Sequence, residues 1–431
     1  MRRISSVLSV LAVALCCGTA LADTLPSADP ATVGFDPAKL KALDDAMDHA
    51  VDTGQVTGIA TLVARHGKIV DVHMHGNRHT AGDPITRDTI YRMYSQTKPL
   101  VGVAMMILYE KGLWKLDDPV TKFIPEFAHL KVMKPDGTLE DAVRPPNMRE
   151  LMTHTAGFGY GLKTGNPVDD AFRAQKVLAS NGLKEMVDKI ATIPLLFQPG
   201  TKWSYSAAVD IQGYIIEKLS GQRLGDFMRD NIFKPIGMKD TGFYVPQENA
   251  ARLSGVFVSN QLTGNKLYEL QADIIPGVQD FTKQPPMDSG GGGSVSTLDD
   301  YALFCQLILN KGELNGVRIL KPETVALMEQ NQLEDTVQVS AAPGGHGIGD
   351  SALGFGLDFA ISLDPAKLGS PQGAGSIWWG GAAGTWFWID PKNDLFFLGM
   401  VQRFGSGVAG NEGLGPTSIG LTYGALTNPE K

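Results

Sequence analysis

Cysteine is scarce in this chain, with three in 431 residues, and Cys16 and Cys17 sit together near the start. Met1 to Ala22 reads as a secretory leader: Arg2 and Arg3 precede an apolar run that ends on Ala20-Leu21-Ala22, a small-x-small cleavage site. The run is short for a membrane span, and Leu15 before Cys16 does not suit lipid attachment. Removal of the leader leaves Cys305 alone, so no intrachain disulfide is expected and the core has to hold the fold. Excess positive charge is also missing. The formal charge is −8, and it becomes −10 without Arg2 and Arg3, with 36 basic against 46 acidic residues. That balance excludes nucleic acid and anionic membranes as expected partners. No Gly-x-Ser-x-Gly occurs, which removes the α/β-hydrolase route to ester chemistry. The Gly290–Gly293 run is followed by no Gly-Lys-Ser/Thr, so it is not a phosphate cradle. His73 and His75 share a strand face but have no evident third ligand, and no metal or cofactor is expected. The chain has no internal repeat.

What remains is an exported globular chain, periplasmic or secreted, with 43% hydrophobic and 19% charged residues. Its length allows two domains. Asp36-Pro37 starts a helix, with a capping carboxylate before a first-turn proline, and Gly54 ends it. Gly58 to Arg65 and Lys68 to His75 read as strands joined by a tight His66-Gly67 turn. Thr89 to Met93 is a third strand candidate. From about 113 to 285 short helices and Pro-rich connections dominate, with helices expected at 147–153, 168–191, 208–219 and 223–231. Beyond Gly293, helices are expected at 297–311 and 321–330, and strands near 354–362, 377–379, 383–389 and 394–402. The pattern predicts an α/β domain made of residues 23–112 and 290–431, with a mostly helical domain, 113–289, between them.

The most informative segment is Ser95-Gln-Thr-Lys98-Pro99. Proline lacks an amide hydrogen and is tolerated only in a helix's first turn, so Ser95 belongs at the helix N-terminus, where free amides favour developing negative charge. Residues three apart share a helix face, so the Lys98 amine can reach the Ser95 hydroxyl. A serine alcohol needs such a partner to take its proton as it attacks. One tension is that Lys98, preceding a proline, is biased away from helical geometry.

Other segments extend the pattern: Leu151-Met-Thr-His154-Thr-Ala-Gly157, Gln198-Pro-Gly200, Tyr205-Ser-Ala-Ala-Val-Asp210, Pro235-Ile-Gly237-Met238, Gly293-Ser-Val-Ser296-Thr-Leu-Asp-Asp300-Tyr301 and Trp378-Trp379-Gly380-Gly381-Ala382. In this order they resemble the serine β-lactamase-related family, and more closely its family VIII carboxylesterase branch. The resemblance spans roughly residues 30 to 400. It implies an antiparallel sheet flanked by helices, built from both chain ends, with the helical domain inserted. It also implies Ser95 as the acylated nucleophile, Lys98 as its partner and Tyr205 as the phenolic base. The amides of Ser95 and Ala382 would form an oxyanion hole, and Trp379, Gly380 and Gly381 would line the substrate site.

A free phenol gives up its proton only near pH 10, so a nearby cation has to assist it near neutrality. Two positions depart from the lactamase pattern: Ala207 stands for the Asn of Tyr-x-Asn, and Trp379 for the Lys of Lys-Thr-Gly. The missing amide and cation would have held a substrate's amide and carboxylate. An uncharged small-molecule ester is therefore the expected substrate. The alternatives are a β-lactamase, a D-amino-acid peptidase, an acyltransferase, or a silent protein of penicillin-binding shape. His154 is read as a loop-fixing hydrogen-bonding residue, Ser294 and Ser296 as turn and capping residues, and Cys305 as a buried apolar one. Oligomeric state is not legible.

Overall fold

A computed structural model describes residues 24–259, 266–270, 279–339, 347–405 and 413–429. The leader lies outside them. Helix α1 (Pro37–Asp52) starts where Asp36 accepts from the Ala38 amide at 2.9 Å, with Pro37 in the first turn. Strands β1 (Gly58–Arg65) and β2 (Lys68–Gly76) form the expected hairpin. His66 and Gly67 both take positive φ, 55° and 71°, as a two-residue turn of matching twist requires. Helix α2 (Thr97–Glu110) carries Pro99 as its third residue. Lys98 is helical despite the proline, and Pro99 itself loses no bond there, since first-turn amides have no intrahelical acceptor.

Helices α3 (Ala208–Ser220) and α4 (Leu298–Leu309) follow. The sheet then resumes with β3 (Leu353–Phe355), β4 (Ala360–Ser362), β5 (Ser376–Gly380), β6 (Trp386–Asp390) and β7 (Leu395–Met400). Helix α5 (Leu414–Ala425) closes the described chain. The seven strands form one antiparallel sheet in the order β3-β4-β5-β6-β7-β1-β2, so the chain's two ends meet where β1 pairs with β7.

Alternation along the strands builds two cores. Ala60, Leu62, Phe396 and Leu398 face a core shared with α2 and α4. Ile59, Val63, Leu395, Phe397, Trp386 and Trp388 face the other, under α1. Lys98 and its neighbours in α2 are enclosed between the sheet-side core and α3. That placement is what buries one end of the Ser95–Lys98 pair.

Several expectations are corrected. The strand expected over Thr89–Met93 is only Tyr91–Arg92, and it pairs with Val295–Ser296 outside the main sheet. The helix expected over 168–191 is two, Pro167–Ala174 and Leu183–Ile190. Lys176 in the left-handed region (φ 50°) and Gly182 in an extended conformation (φ 155°) break it, because neither can continue a right-handed helix. The strand expected near 354–362 is the β3–β4 hairpin, turned at Asp358 (φ 71°). The segment expected as a helix over 223–231 is helical only to Met228 and widens into a π turn over Arg229–Phe233. No expectation covered α5, whose glycines give it weak intrinsic helicity and which forms by packing on α1.

His73 and His75 point at α1. His73 Nε2 lies 2.7 Å from Asp48, and His75 Nε2 lies 3.0 Å from Asp52. Beside them, burial and then the neighbouring Asp44 push Asp71 up to about 7, with His73 opposing. The native state therefore holds a proton that the unfolded chain, with a free aspartate near 3.9, has released. The associated stability is present below about pH 4 and is lost as pH rises through about 7. Asp71→Asn should flatten this dependence. Thermal midpoints at pH 5 and pH 8 should differ less in the variant than in the wild type, and an equal drop in both would refute the assignment.

Candidate active site

Tyr94–Gln96 forms a short 3-10 turn that leads into α2 and carries Ser95 at the helix mouth. Tyr94 adopts φ 45°, an uncommon conformation for a bulky residue. The bend ends the Tyr91–Arg92 ladder immediately before the serine. Lys98 lies one helical turn on and is 1% exposed, with Nζ 3.2 Å from Ser95 Oγ. The same Nζ is 3.1 Å from the Tyr160 hydroxyl and 2.5 Å from the Gly291 carbonyl oxygen. An ammonium has three N–H bonds, and these three partners can satisfy all of them. A buried charge is tolerable only on such terms.

The two tyrosines differ in how they meet the lysine. Tyr160 offers its hydroxyl, whereas Tyr205 offers its ring face, with Nζ 4.5 Å from the ring centroid. The Tyr205 hydroxyl is buried and has no hydrogen-bond partner among the described residues. Tyr160 was not singled out in the sequence, although it follows the Leu151–Gly157 segment by three residues. Burial, followed by the charge of Asp210, raises the proton affinity of the Tyr160 phenol well above that of an ordinary one.

Strand β5 supplies the opposite wall. A Cβ built on Gly381 would sit 2.3 Å from the Met93 carbonyl oxygen, so the chain approaches within two residues of Ser95 only because position 381 has no side chain. The Ser95 and Ala382 amides have no acceptor among the described residues. Trp379 joins Trp203, Tyr205 and Phe355 in an aromatic wall, with ring centroids 5.6 Å apart for Tyr205–Trp379 and 5.5 Å for Phe355–Trp379. Trp378 stacks on Trp379 at 5.9 Å and also contacts the core beneath α1. Two indole N–H groups in this wall, on Trp203 and Trp379, are buried without partners among the described residues.

Behind the wall, His154 (φ 59°) bonds through Nδ1 to Ser206 Oγ at 2.9 Å and packs 5.0 Å from the Tyr205 ring. Burial, with the Lys98 charge added, holds its proton affinity well below that of a free imidazole. It fixes the loop that carries Tyr205. Ala207 is fully buried and offers no side chain to a substrate. Ser294 bonds Thr97 at 2.7 Å, and Ser296 bonds Thr241 at 2.8 Å, so both tie loops together. Burial pushes the Cys305 thiol well up.

Helices on both faces of an antiparallel sheet, with a serine and a lysine at the mouth of a buried helix, define a class of acyl-transferring serine enzyme. The sequence matches the family model described as Beta-lactamase over residues 43–414. The chain belongs to that family, and it is a serine hydrolase of the β-lactamase and penicillin-binding-protein fold. It is 31% identical to esterase EstB of Burkholderia gladioli over 403 residues, covering 90% of this chain and 96% of that one. It is 29% identical to lovastatin esterase of Penicillium rubens, covering 84% and 92%. Among solved structures it resembles EstCE1, a hydrolase with promiscuous acyltransferase activity. The TM-score is 0.72 at 25% identity, over 91% of this chain and 99% of that one.

Proposed function

We propose that the protein is an exported carboxylesterase that works through an acyl-enzyme on Ser95. The reading is carried by one observation: Lys98 Nζ, enclosed and fully partnered, stands 3.2 Å from a half-buried serine hydroxyl. Ser95 Oγ attacks the ester carbonyl with Lys98 in its neutral amine form, so that Nζ takes the serine proton as the new C–O bond forms and later returns it to Tyr205. The Ser95 and Ala382 amides, free of other acceptors, stabilise the oxyanion by roughly 3 kcal/mol each. The Tyr205 hydroxyl, also without a partner, protonates the leaving alcohol. Water then attacks the acyl-enzyme by the reverse proton path.

The aromatic wall supports an uncharged substrate. Trp379 puts an indole where a lysine would bind a carboxylate, and the unpaired donors around it suit ester oxygens. A second reading, transfer of the acyl group to an alcohol, shares every step up to the acyl-enzyme, and the likeness to EstCE1 supports it. The test sets p-nitrophenyl esters beside a chromogenic cephalosporin, with and without added alcohol. Ester turnover far above cephalosporin turnover is expected. Comparable cephalosporin turnover would promote the lactamase, and an alkyl-ester product in place of free acid would promote the transferase.

A further inference from the structure

The Ser95–Lys98 chemistry leaves two fully buried carboxyls unexplained, Asp210 and Asp358, both close enough to Lys98 to feel its charge. Asp358 is occupied elsewhere: its Oδ1 accepts from Gln212 Nε2 at 3.0 Å, and burial pushes it well up. Asp210 is placed differently. It lies in the first turn of α3, five residues past Tyr205. Its Oδ1 accepts from Ser289 Oγ at 2.5 Å and from the Gly291 amide at 3.0 Å.

The carbonyl of that same Gly291 receives Lys98 Nζ, and the Tyr160 hydroxyl is 3.4 Å from it. One peptide turn thus has the carboxylate on its amide and the lysine on its carbonyl. Asp210 Oδ2 is buried with no partner among the described residues. A Cβ on Gly291 would come within 2.3 Å of that oxygen and 2.4 Å of the Tyr160 hydroxyl, so both aim at the same point. The Gly290–Gly293 run permits this closeness. Gly290 in turn sits against the Val209 carbonyl, where a Cβ would be 2.4 Å away.

We propose that Asp210 is a positioning residue for the Ser95 reaction. It holds the Ser289–Gly291 turn so that Gly291 seats Lys98, and its buried charge opposes that of the ammonium. The role rests on the acyl-enzyme reading above and deepens it. A carboxylate in a site shielded from water acts on a nearby cation far more strongly than one in bulk water. The other titratable groups facing Lys98 are Tyr160, Tyr205, His154 and Asp358. The two phenols and the imidazole supply no fixed negative charge, and Asp358 has no bond to the turn. Burial raises the proton affinity of Asp210 above that of a free aspartate, and the nearby Lys98 charge and the Ser289 and Gly291 bonds oppose this. Removing a buried negative charge favours proton loss around it, so the ionisation that activates Ser95 moves to lower pH.

The test measures the rate at which a fluorophosphonate labels Ser95, by intact mass, from pH 5 to 9. In that step Ser95 Oγ bonds to phosphorus, fluoride leaves, and the serine proton passes to the lysine–tyrosine group. For Asp210→Asn, which keeps the shape of the side chain, we expect the limiting rate to fall about tenfold or more. The acid limb should move down by about one pH unit. A limb that stays put or moves up overturns the proposal, even if the rate falls, because a structural role alone would leave it in place. If Asp210→Asn gives no folded protein, Ser289→Ala decides, with a smaller downward shift expected and an unmoved limb overturning the idea. Ester turnover is followed in parallel. A wild type that labels but cleaves no ester defeats the esterase reading while leaving Asp210 to the labelling result, and a wild type inert to the probe defeats both.

Discussion

Ser95→Ala is expected to lose about 10⁴- to 10⁶-fold of ester turnover, the scale seen when a nucleophile that works as part of a unit is removed. The fold should not suffer, since Ser95 is half-buried and the side-chain bond it makes among the described residues is to Lys98. On the proposed mechanism, what is left after the substitution lacks an acceptor for the acyl group. Brief incubation of the wild type with a p-nitrophenyl ester, followed by acid quench and peptide mass spectrometry, should place the acyl mass on the peptide containing Ser95. Residual turnover within tenfold of wild type, or an adduct on another peptide, would remove Ser95 from the chemistry.

The second large effect separates the two phenols. Tyr205→Phe should cost about 10² to 10⁴ in kcat, the range for loss of a positioned acid or base, because on the proposed mechanism its hydroxyl protonates the leaving alcohol. Its ring packing against Trp379, His154 and Lys98 would survive in phenylalanine. Tyr160→Phe should cost about tenfold. It deletes one of the three hydrogen bonds on Lys98 Nζ but leaves Ser95 and Gly291 in place. The two variants assayed side by side give a ranking. If Tyr160→Phe proves the more damaging, the proton route runs through the phenol that the lysine touches directly, and Tyr205 is a wall residue.

The difference between these tyrosines also shows how far the sequence could be read. Ser95 and Lys98 were legible because their meeting is local: one helical turn fixes it, and Pro99 fixes where the turn begins. Tyr205 and the Trp379-Gly380-Gly381 stretch were legible only through resemblance of ordered segments. Tyr160 and Gly291 were not read as parts of the site. The Lys98–Tyr160 contact joins residues 62 positions apart, and the Lys98–Gly291 contact joins residues 193 apart. Nothing in local periodicity encodes such a meeting. The sequence shows the glycine run and that it is no phosphate cradle, but its use as a place of close approach emerges only when α2, α3 and the 289–293 turn are seen together. Asp210 stood inside a recognised segment without a role, for the same reason.

By itself, then, the sequence determined the parts that depend on neighbours along the chain: the α1 cap, the His66-Gly67 turn, the serine at the mouth of α2 and the lysine above it. It also carried the resemblance in which Trp379 and Ala207 depart from the lactamase pattern. Tertiary structure decided which groups complete the lysine's shell, that Tyr205 presents its ring and Tyr160 its hydroxyl, and that a buried carboxylate stands behind the turn. Local rules fix backbone shape over a few residues. A buried charge is made tolerable only by groups that the whole fold brings to it.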